Sequence, residues 1–106
     1  MTTKEEMMEK YQEQLAKLGE DVNQELLDWC FDRVGPANYK ADAQLVACSD
    51  EDERKRVYTG FVGDELEETD EDKGMEAIAN VCEQMSDVTR KYRAVFYYIL
   101  AKAYGK

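Results

Sequence analysis

The sequence predicts an all-α protein, a compact and bundle-like array of five or six short helices with the C-terminal helix at its centre. Apolar residues recur every three to four positions through the last thirty residues, which places them on one buried helix face. These residues are Ile78, Val81, Cys82, Met85, Tyr92, Val95, Phe96, Ile99, Leu100 and Ala103. One proline and six glycines in 106 residues are too few for a turn-dense β fold. The length favours a single domain, residues 1–106.

Two helices are predicted in the first third of the chain. The first covers about residues 3–18 and ends at Gly19, a residue type that commonly closes helices. The second covers about residues 24–34 and begins after Asn23, a good N-cap. It ends at Gly35-Pro36, because proline cannot donate a hydrogen bond into a continuing helix.

The middle of the chain predicts two shorter helices. The third is expected at about residues 39–47. Ser49 is expected to open the fourth, and Asp52 three residues later is a weak variant of the capping box. The inward face of the fourth helix carries Val57, Tyr58, Phe61 and Val62.

An acidic stretch separates these helices from the last two. Residues near 63–72 are the expected mobile connection. The fifth helix is predicted from about Asp70 to residue 84 or 85, and the sixth from about residue 88 to 104. Ser86-Asp87 favours a break between them, and one continuous helix is the alternative.

The charge distribution excludes several classes of partner. The net charge is −10, with −5 in residues 1–48, −8 in residues 49–76 and +3 in residues 77–106. This balance disfavours direct binding to nucleic acid or to an anionic membrane surface, both of which require clustered Lys and Arg. The first ten residues, MTTKEEMMEK, lack the apolar region of a signal peptide, and no stretch is apolar for long enough to span a membrane. We expect a cytoplasmic protein.

Three segments of the chain carry a family resemblance. The run DAQLVACSDEDERKRV, the later IANVCEQM and the ending YRAVFYYILAKAYGK resemble the small bacterial family catalogued as domain of unknown function 2853. The resemblance covers roughly residues 8–106 and is most specific over residues 93–106. It implies a compact, all-helical, cytoplasmic bacterial protein. It implies no activity, substrate or catalytic residue, because the family has none established.

The residue types disfavour catalysis. Histidine is absent, which removes the commonest general base near neutral pH and the Cys-His and Ser-His nucleophile pairs. There is no Gly-rich phosphate loop, and scattered cysteines without histidine cannot easily form a closed zinc site. A calcium loop starting at Glu68 would fit Asp70 and Asp72, but it fails at Lys73 and Ala79. We expect no enzyme, no cofactor and no metal site beyond weak divalent-cation association.

The three cysteines, Cys30, Cys48 and Cys82, form no tight pair in the sequence and lie in apolar helical contexts. This predicts buried free thiols in a reducing cytoplasm. Cys82 falls on the face assigned to the core. Cys48 lies at a helix end just before Ser49, where nearby amides could lower the pKa of a thiol. It is therefore the candidate reactive thiol.

Aromatic residues of the last helix provide a candidate interaction surface. Arg93, Tyr97 and Tyr104 lie off the main apolar stripe, and Tyr and Arg are favoured in interface hot spots. The alternative is that these tyrosines are core, since a helix that is apolar or aromatic on all sides is usually central in its own domain. Trp29 lies beside the apolar face of residues 26–30 and is predicted to be partly buried.

These observations predict a noncatalytic protein-interaction or regulatory module. It would bind a protein partner, or a second copy of itself, through Arg93, Tyr97 and Tyr104. The alternative is an acidic decoy whose carboxylates at 50–53 and 64–72 compete for a basic, nucleic-acid-binding surface. A third hypothesis is an enzyme or a weak divalent-cation-binding module that uses carboxylates or Cys48.

Overall fold

The computed structural model describes residues 3–41 and 43–106 and contains five α-helices in this part of the chain. The helices are α1 (Lys4–Lys17), α2 (Gln24–Val34), α3 (Glu51–Val57), α4 (Glu71–Gln84) and α5 (Arg93–Ala103). A 3-10 helix, Gly35–Tyr39, continues α2, and a π-helical turn, Tyr58–Val62, continues α3. The prediction of an all-α fold is confirmed. None of the described helices is long and apolar enough to cross a membrane.

Helix α5 forms the centre of the hydrophobic core. Every residue from Ala94 to Ala101 is buried, and α5 packs against α1, α2 and α4. A helix that is buried on all sides must be apolar on all sides, which explains the run AVFYYILA. The prediction that the C-terminal helix is central is therefore confirmed.

The first two helices begin and end within one residue of their predicted bounds. The Thr3 hydroxyl and the Asn23 side chain each accept a backbone N–H from the first turn of their helix, at 3.3 and 3.2 Å. Gly19 and Gly35, just after the two helices, have φ angles of +76° and +64°. Residues with a side chain rarely adopt this left-handed conformation, so glycine is favoured at both positions.

A buried asparagine in the 3-10 helix joins α1 to α2. Asn38 is fully buried, and its amide nitrogen donates to the carbonyls of Phe31 and Gly35 at 2.9 and 2.7 Å. Its side-chain oxygen accepts a hydrogen bond from the Tyr11 hydroxyl at 2.8 Å. Burial raises the pKa of Tyr11, so this hydroxyl remains a donor at neutral pH. All polar atoms of the Asn38 side chain thus have partners despite their burial.

The prediction of a third helix at residues 39–47 is wrong. Residues 44–46 instead run antiparallel to residues 91–93 and form an isolated bridge between Leu45 and Tyr92. The backbone bonds are Val46 N–H to the Lys91 carbonyl, 2.9 Å, and Arg93 N–H to the Gln44 carbonyl, 2.6 Å. The Arg93 side chain also donates to the carbonyls of Ala43 and Leu45. These partners satisfy the backbone groups that a helix would otherwise use.

The predicted start of the fourth helix is wrong by one residue. The N-cap of α3 is Asp50 rather than Ser49, and its carboxylate accepts the backbone N–H groups of Asp52 and Glu53 at 2.9 and 3.4 Å. Asp and Ser are about equally good N-caps, but the negative charge of Asp50 also interacts favourably with the helix dipole, which favours the cap at this position.

Two separate helices, α4 and α5, occupy the last third of the chain, as predicted. Asp70 caps α4, whereas α5 begins at Arg93 rather than near residue 88. The difference arises because residues 91–93 pair with residues 44–46 and are extended there. The segment 85–92 therefore crosses the end of α1 before the last helix begins.

The acidic segment 63–72 is attached to the core at several points. Leu66 is buried, the Tyr58 hydroxyl donates to the Glu68 carbonyl at 3.1 Å, and Arg33 contacts the Glu65 carboxylate at 3.2 Å. Glu67 has a φ angle of +59°, an uncommon conformation for a residue with a side chain. The mobility of this segment stays a prediction, but these contacts limit it to the residues between the attachments.

Candidate functional site

The predicted interaction surface is largely internal, beginning with Tyr97. The Tyr97 side chain is buried and stacks on the Phe61 ring, with 3.9 Å between ring centroids and 8° between planes. This contact joins α5 to the π-helical turn. The expectation that Tyr97 is exposed for a partner is therefore corrected, and the alternative that it is a core residue applies.

Arg93 is occupied by intramolecular partners. Its guanidinium bonds the Glu53 carboxylate in addition to the carbonyls of Ala43 and Leu45. Burial acts to lower the pKa of Arg93, but the interactions with Glu53 and Tyr97 together outweigh it and raise that pKa, so the side chain stays charged. An arginine held by these contacts is not available for stacking on a partner.

Tyr104 is half-buried and follows the last residue of α5. Its hydroxyl donates to the Glu68 carboxylate at 3.3 Å. Burial and the Glu68 charge both raise the pKa of Tyr104. Tyr104 and, to a small extent, Arg93 thus reach solvent, whereas Tyr97 is buried, and the three residues do not form one exposed surface.

The prediction of three free thiols is wrong. Cys48 and Cys82 form a disulfide, with their Cα atoms 5.8 Å apart. They are separated by 34 residues in sequence, and only the packing of α4 against the segment that precedes α3 brings them together. Cys82 is buried as predicted, but Cys48 is not a free reactive thiol in this structure.

Cys30 is the remaining free cysteine. It lies in α2 and is fully buried. Burial raises the pKa of its thiol to about 12, and the nearby Arg33 lowers it by less. The Cys30 thiol is therefore protonated and chemically inert at neutral pH.

Trp29 is partly buried, as predicted. Its ring packs against Phe61 with the centroids 5.8 Å apart, and the Arg33 guanidinium lies 4.9 Å from the Trp29 ring centroid. The contact with Arg33 has the geometry of a cation–π interaction. Trp29 thus covers the edge of the core instead of projecting as a binding anchor.

A cleft lies between the second half of α1 and the segment 84–92. Its volume is about 750 Å³. We call it the α1 cleft. Among its lining residues are three cations, two acids and an apolar pair: Lys10, Lys17, Arg90, Glu13, Asp87, Leu18 and Val88.

A buried glutamine forms the inner wall of the α1 cleft. Gln14 donates to the Arg90 carbonyl at 2.6 Å and accepts the Tyr92 backbone N–H at 3.3 Å. It thereby fixes the segment that carries Arg90 against α1. The sequence analysis missed this residue, although a signal was present. Gln14 is a polar residue on the same helix stripe as Tyr11 and Leu15, where apolar side chains are expected.

The cations of the α1 cleft are among those that form no ion pair within the described residues. Lys4, Arg33, Arg56, Arg93 and Lys102 each contact a carboxylate. Within residues 3–41 and 43–106, no carboxylate lies within 4 Å of the side-chain nitrogens of Lys10, Lys17 or Arg90. Three cations without ion pairs thus line one cleft, together with the two acids, in a protein of net charge −10.

The carboxylates do not gather in the same way. In the described part of the chain, no group of three or more Cys, Asp or Glu side chains is placed to hold a metal ion. Among the described residues, Glu53 is the buried acid. Arginines bond both of its carboxylate oxygens, Arg93 at Oε1 and Arg56 at Oε2. Burial raises the pKa of Glu53, but the hydrogen bonds from Arg56 and Arg93 outweigh it, so that pKa is lowered.

Fold and site together define a small all-α protein with a polar cleft beside α1. The family model described as a protein of unknown function (DUF2853) matches residues 10–106, nearly the whole chain. The chain therefore belongs to this family, as the resemblance in its sequence predicted. No curated protein matches the chain. The function of the family is unknown, so the arguments about function depend on this molecule alone.

Proposed function

We propose that this protein is a noncatalytic binding module that holds an acidic segment of a partner protein in the α1 cleft. The observation that carries the proposal is the set of unpaired cations Lys10, Lys17 and Arg90 around one cavity. Carboxylates of a bound segment would complete the ion pairs that the chain itself does not supply.

Charge complementarity selects the class of partner. The cleft has three cations against two acids, whereas the chain as a whole has 14 basic and 24 acidic residues. A short acidic segment can contact the cleft without approaching the rest of the molecule. A nucleic acid carries a dense and extended negative charge, which the remaining surface would repel. An acidic protein segment therefore fits better than a nucleic acid.

The shape and rigidity of the cleft also favour binding. Leu18 and Val88 are half-buried at the cleft and offer apolar contacts next to the charges. The hydrogen bonds of Gln14 hold the Arg90 backbone in position before any partner arrives. A preformed wall lowers the entropic cost of binding, because fewer groups must be ordered.

The environment of the ionisable groups supports a noncatalytic role. The one buried carboxylate in the described residues, Glu53, is neutralised by two arginines. Cys30 has a protonated, buried thiol. A general base or nucleophile needs a pKa near the working pH and access to substrate, and neither group has both.

The cytoplasmic location and bacterial origin expected from the sequence stay predictions.

The test is a titration of the isotopically labelled full chain with a short Glu-rich peptide. Binding is monitored through the backbone amide NMR signals of the chain. A matched peptide with Gln in place of Glu is the ligand control. The expected result is saturable shifts in the second half of α1 and in residues 84–92, only with the Glu-rich peptide. The affinity should fall with salt, because exposed charges are screened.

Two charge-neutralising variants sharpen this test. Lys17→Gln and Arg90→Gln should each weaken binding by about two- to fivefold, the range for exposed ion pairs. Lys55→Gln makes the same charge change at an exposed site on α3 and should leave affinity unchanged. Equal weakening by all three variants would show unspecific attraction and overturn the proposal. Tighter binding of an oligonucleotide, or occupation of the cleft by a second copy of the chain, would overturn the choice of partner.

The acidic-decoy alternative has one observation in its favour. Asp64, Glu67, Asp70, Glu71 and Asp72 are exposed along the acidic segment and the first turn of α4. A Lys-rich peptide should then shift the amide signals of residues 64–72 and leave those of the α1 cleft unchanged. The two titrations therefore separate the alternatives in the same sample.

A further inference from the structure

The disulfide lies at a second, shallower cleft on the surface. This cleft has a volume of about 590 Å³ and is lined by residues from the segment 46–49, from α3, from α4 and from the segment 86–91. Both Cys48 and Cys82 belong to its lining. Most structural disulfides are protected from solutes by burial, whereas this one borders a space that a small molecule can enter.

The two sulfur-bearing residues differ in exposure. Cys48 is half-buried and lies in an irregular segment, whereas Cys82 is 6% exposed and lies in the last turn of α4. Thiol–disulfide exchange requires direct approach of a thiolate to one of the two sulfur atoms. Cys48 is the more exposed of the two residues that line the cleft, so we expect attack there first.

We propose that the Cys48–Cys82 disulfide is a reversible thiol-exchange site, at which a low-molecular-mass thiol attacks Cys48 and Cys82 acts as the resolving cysteine. This modification site lies in a different cleft from the α1 cleft, although Thr89 lines both, and it goes beyond the proposed function. It retains the idea of a chemically active Cys48, but as half of a disulfide instead of a free thiol.

The exchange balances as two thiol displacements. A thiolate RS⁻ attacks Sγ of Cys48, the bond between Cys48 and Cys82 breaks, and Cys82 leaves as a thiolate that takes a proton from water. The product is a mixed disulfide between Cys48 and R. A second RS⁻ attacks the sulfur of R, releases RSSR and leaves Cys48 as a thiolate. The protein disulfide gains two electrons and two protons, and two RSH molecules are oxidised to RSSR.

Charged groups around the cleft favour this chemistry. Arg54 and Lys91 line it together with one acid, Glu83. The two cations attract the incoming thiolate and stabilise the thiolate that departs. Arg54 additionally donates a hydrogen bond to the Cys48 carbonyl, which holds the attacked residue in place.

The surroundings also make the exchange reversible and specific. The bonds of Val46 to Lys91 and of Arg54 to the Cys48 carbonyl hold the Cys48 segment, and α3 packs against α4, which carries Cys82, so the two thiols are expected to stay close enough to close again. The third cysteine cannot interfere, because Cys30 is fully buried in α2. Its thiol, with a pKa of about 12, is not a competing nucleophile.

The test uses the full-length oxidised protein and glutathione at graded ratios of reduced to oxidised form. Samples are quenched with acid and mapped by peptide mass spectrometry. The expected intermediate carries glutathione on Cys48 and not on Cys82 or Cys30, and the disulfide is restored when the ratio is reversed. In a Cys82→Ser variant, the Cys48 thiolate should attack oxidised glutathione, release one reduced glutathione and keep the other as a stable mixed disulfide on Cys48, because the resolving thiol is missing.

Two results would overturn the proposal. One is a disulfide that reduced glutathione opens only when denaturant unfolds the protein, which would make the bond purely structural. The other is modification of Cys82 in a Cys48→Ser variant at a rate equal to that of Cys48 in Cys82→Ser. If either variant fails to fold, the wild-type time course still decides, since it must show Cys48 modified before Cys82.

Discussion

Glu53 and Arg93 form an ion pair that links α3 to the first turn of the central helix α5. Both side chains are shielded from solvent, with 11% of Glu53 and 16% of Arg93 exposed. Arg93 simultaneously bonds two carbonyls of the segment before α3. One arginine therefore fixes the relative positions of three parts of the chain, and its carboxylate partner determines whether its charge is compensated.

The Glu53–Arg93 pair predicts a specific pH dependence of stability. Because the pKa of Glu53 is lowered in the folded protein, its contribution is fully present above the unfolded pKa of about 4.3 and is lost as the pH falls through the folded pKa. Glu53→Gln should lower the free energy of unfolding by about 3 kcal/mol at neutral pH, because a buried arginine loses its counter-charge. The difference from wild type should shrink in acid.

Urea unfolding of both proteins, monitored by circular dichroism from neutral to acidic pH, measures this difference. Glu51→Gln, at an exposed position on the same helix, is the matched control and should change stability by less than about 0.5 kcal/mol. A destabilisation by Glu53→Gln that is the same at every pH would contradict an electrostatic origin.

Gly74 in α4 contacts the ring of Tyr58 so closely that a Cβ atom would overlap with it. Alanine normally stabilises a helix relative to glycine by about 1 kcal/mol. Here Gly74→Ala should instead lower the unfolding free energy by about 1–2 kcal/mol, because overpacking outweighs the helix preference.

Two comparisons separate these effects. Gly60→Ala introduces the same methyl group where no atom lies within 4 Å and should not destabilise the protein. In a Tyr58→Ala background the ring is absent, and Gly74→Ala should become neutral or stabilising. A Gly74→Ala variant with the same thermal midpoint as wild type would contradict the prediction, because it would show that the Tyr58 ring moves aside without cost.

The helices that were predicted correctly depend mostly on local features of the sequence. The caps Thr3, Asn23 and Asp70 act on N–H groups within three residues, so their effect is visible in a short stretch of sequence. The all-round apolar pattern of residues 94–101 likewise indicated a central helix. These features need no knowledge of distant residues.

Apart from the one-residue shift at the start of α3, the wrong predictions have a different physical cause, namely partners far away in sequence. Residues 44–46 have an apolar spacing that permits a helix, but Arg93 and Lys91 bind their backbone groups. Arginine is usually exposed, so the burial of Arg93 had no local signal.

Of the candidate sites, the α1 cleft was missed because its cations come from two separate segments. Gln14, a polar residue within an apolar stripe, was the one local indication.

The stack of Tyr97 on Phe61 predicts different roles for the two tyrosines that had been assigned to an interaction surface. Tyr97→Ser should lower the unfolding free energy by about 3–5 kcal/mol, because it removes a buried aromatic ring. Tyr104→Ser should cost less than about 1.5 kcal/mol, since Tyr104 is half-buried and makes one long hydrogen bond.

Chemical unfolding followed by circular dichroism compares the variants. Tyr39→Ser is the matched control, because it makes the same chemical change at a side chain that is 47% exposed. A Tyr97→Ser protein with wild-type stability would mean that this ring is not part of the core, and it would restore the interpretation of Tyr97 as an interface residue.

The disulfide predicts that stability depends on the redox state of the solution. It closes a loop between residues separated by 34 positions, and a loop of this length restricts the unfolded chain enough to stabilise the fold by about 4 kcal/mol in the chain-entropy account. Full reduction of Cys48 and Cys82 should therefore lower the unfolding free energy by about that amount. Urea unfolding with and without a strong reductant measures the change.

A Cys48→Ser, Cys82→Ser double variant should be as stable as the reduced protein and insensitive to the reductant, whereas Cys30→Ala should keep the full response. Equal stability of oxidised and reduced wild type would contradict the prediction and would show that the packing of α4 holds this region without the covalent bond.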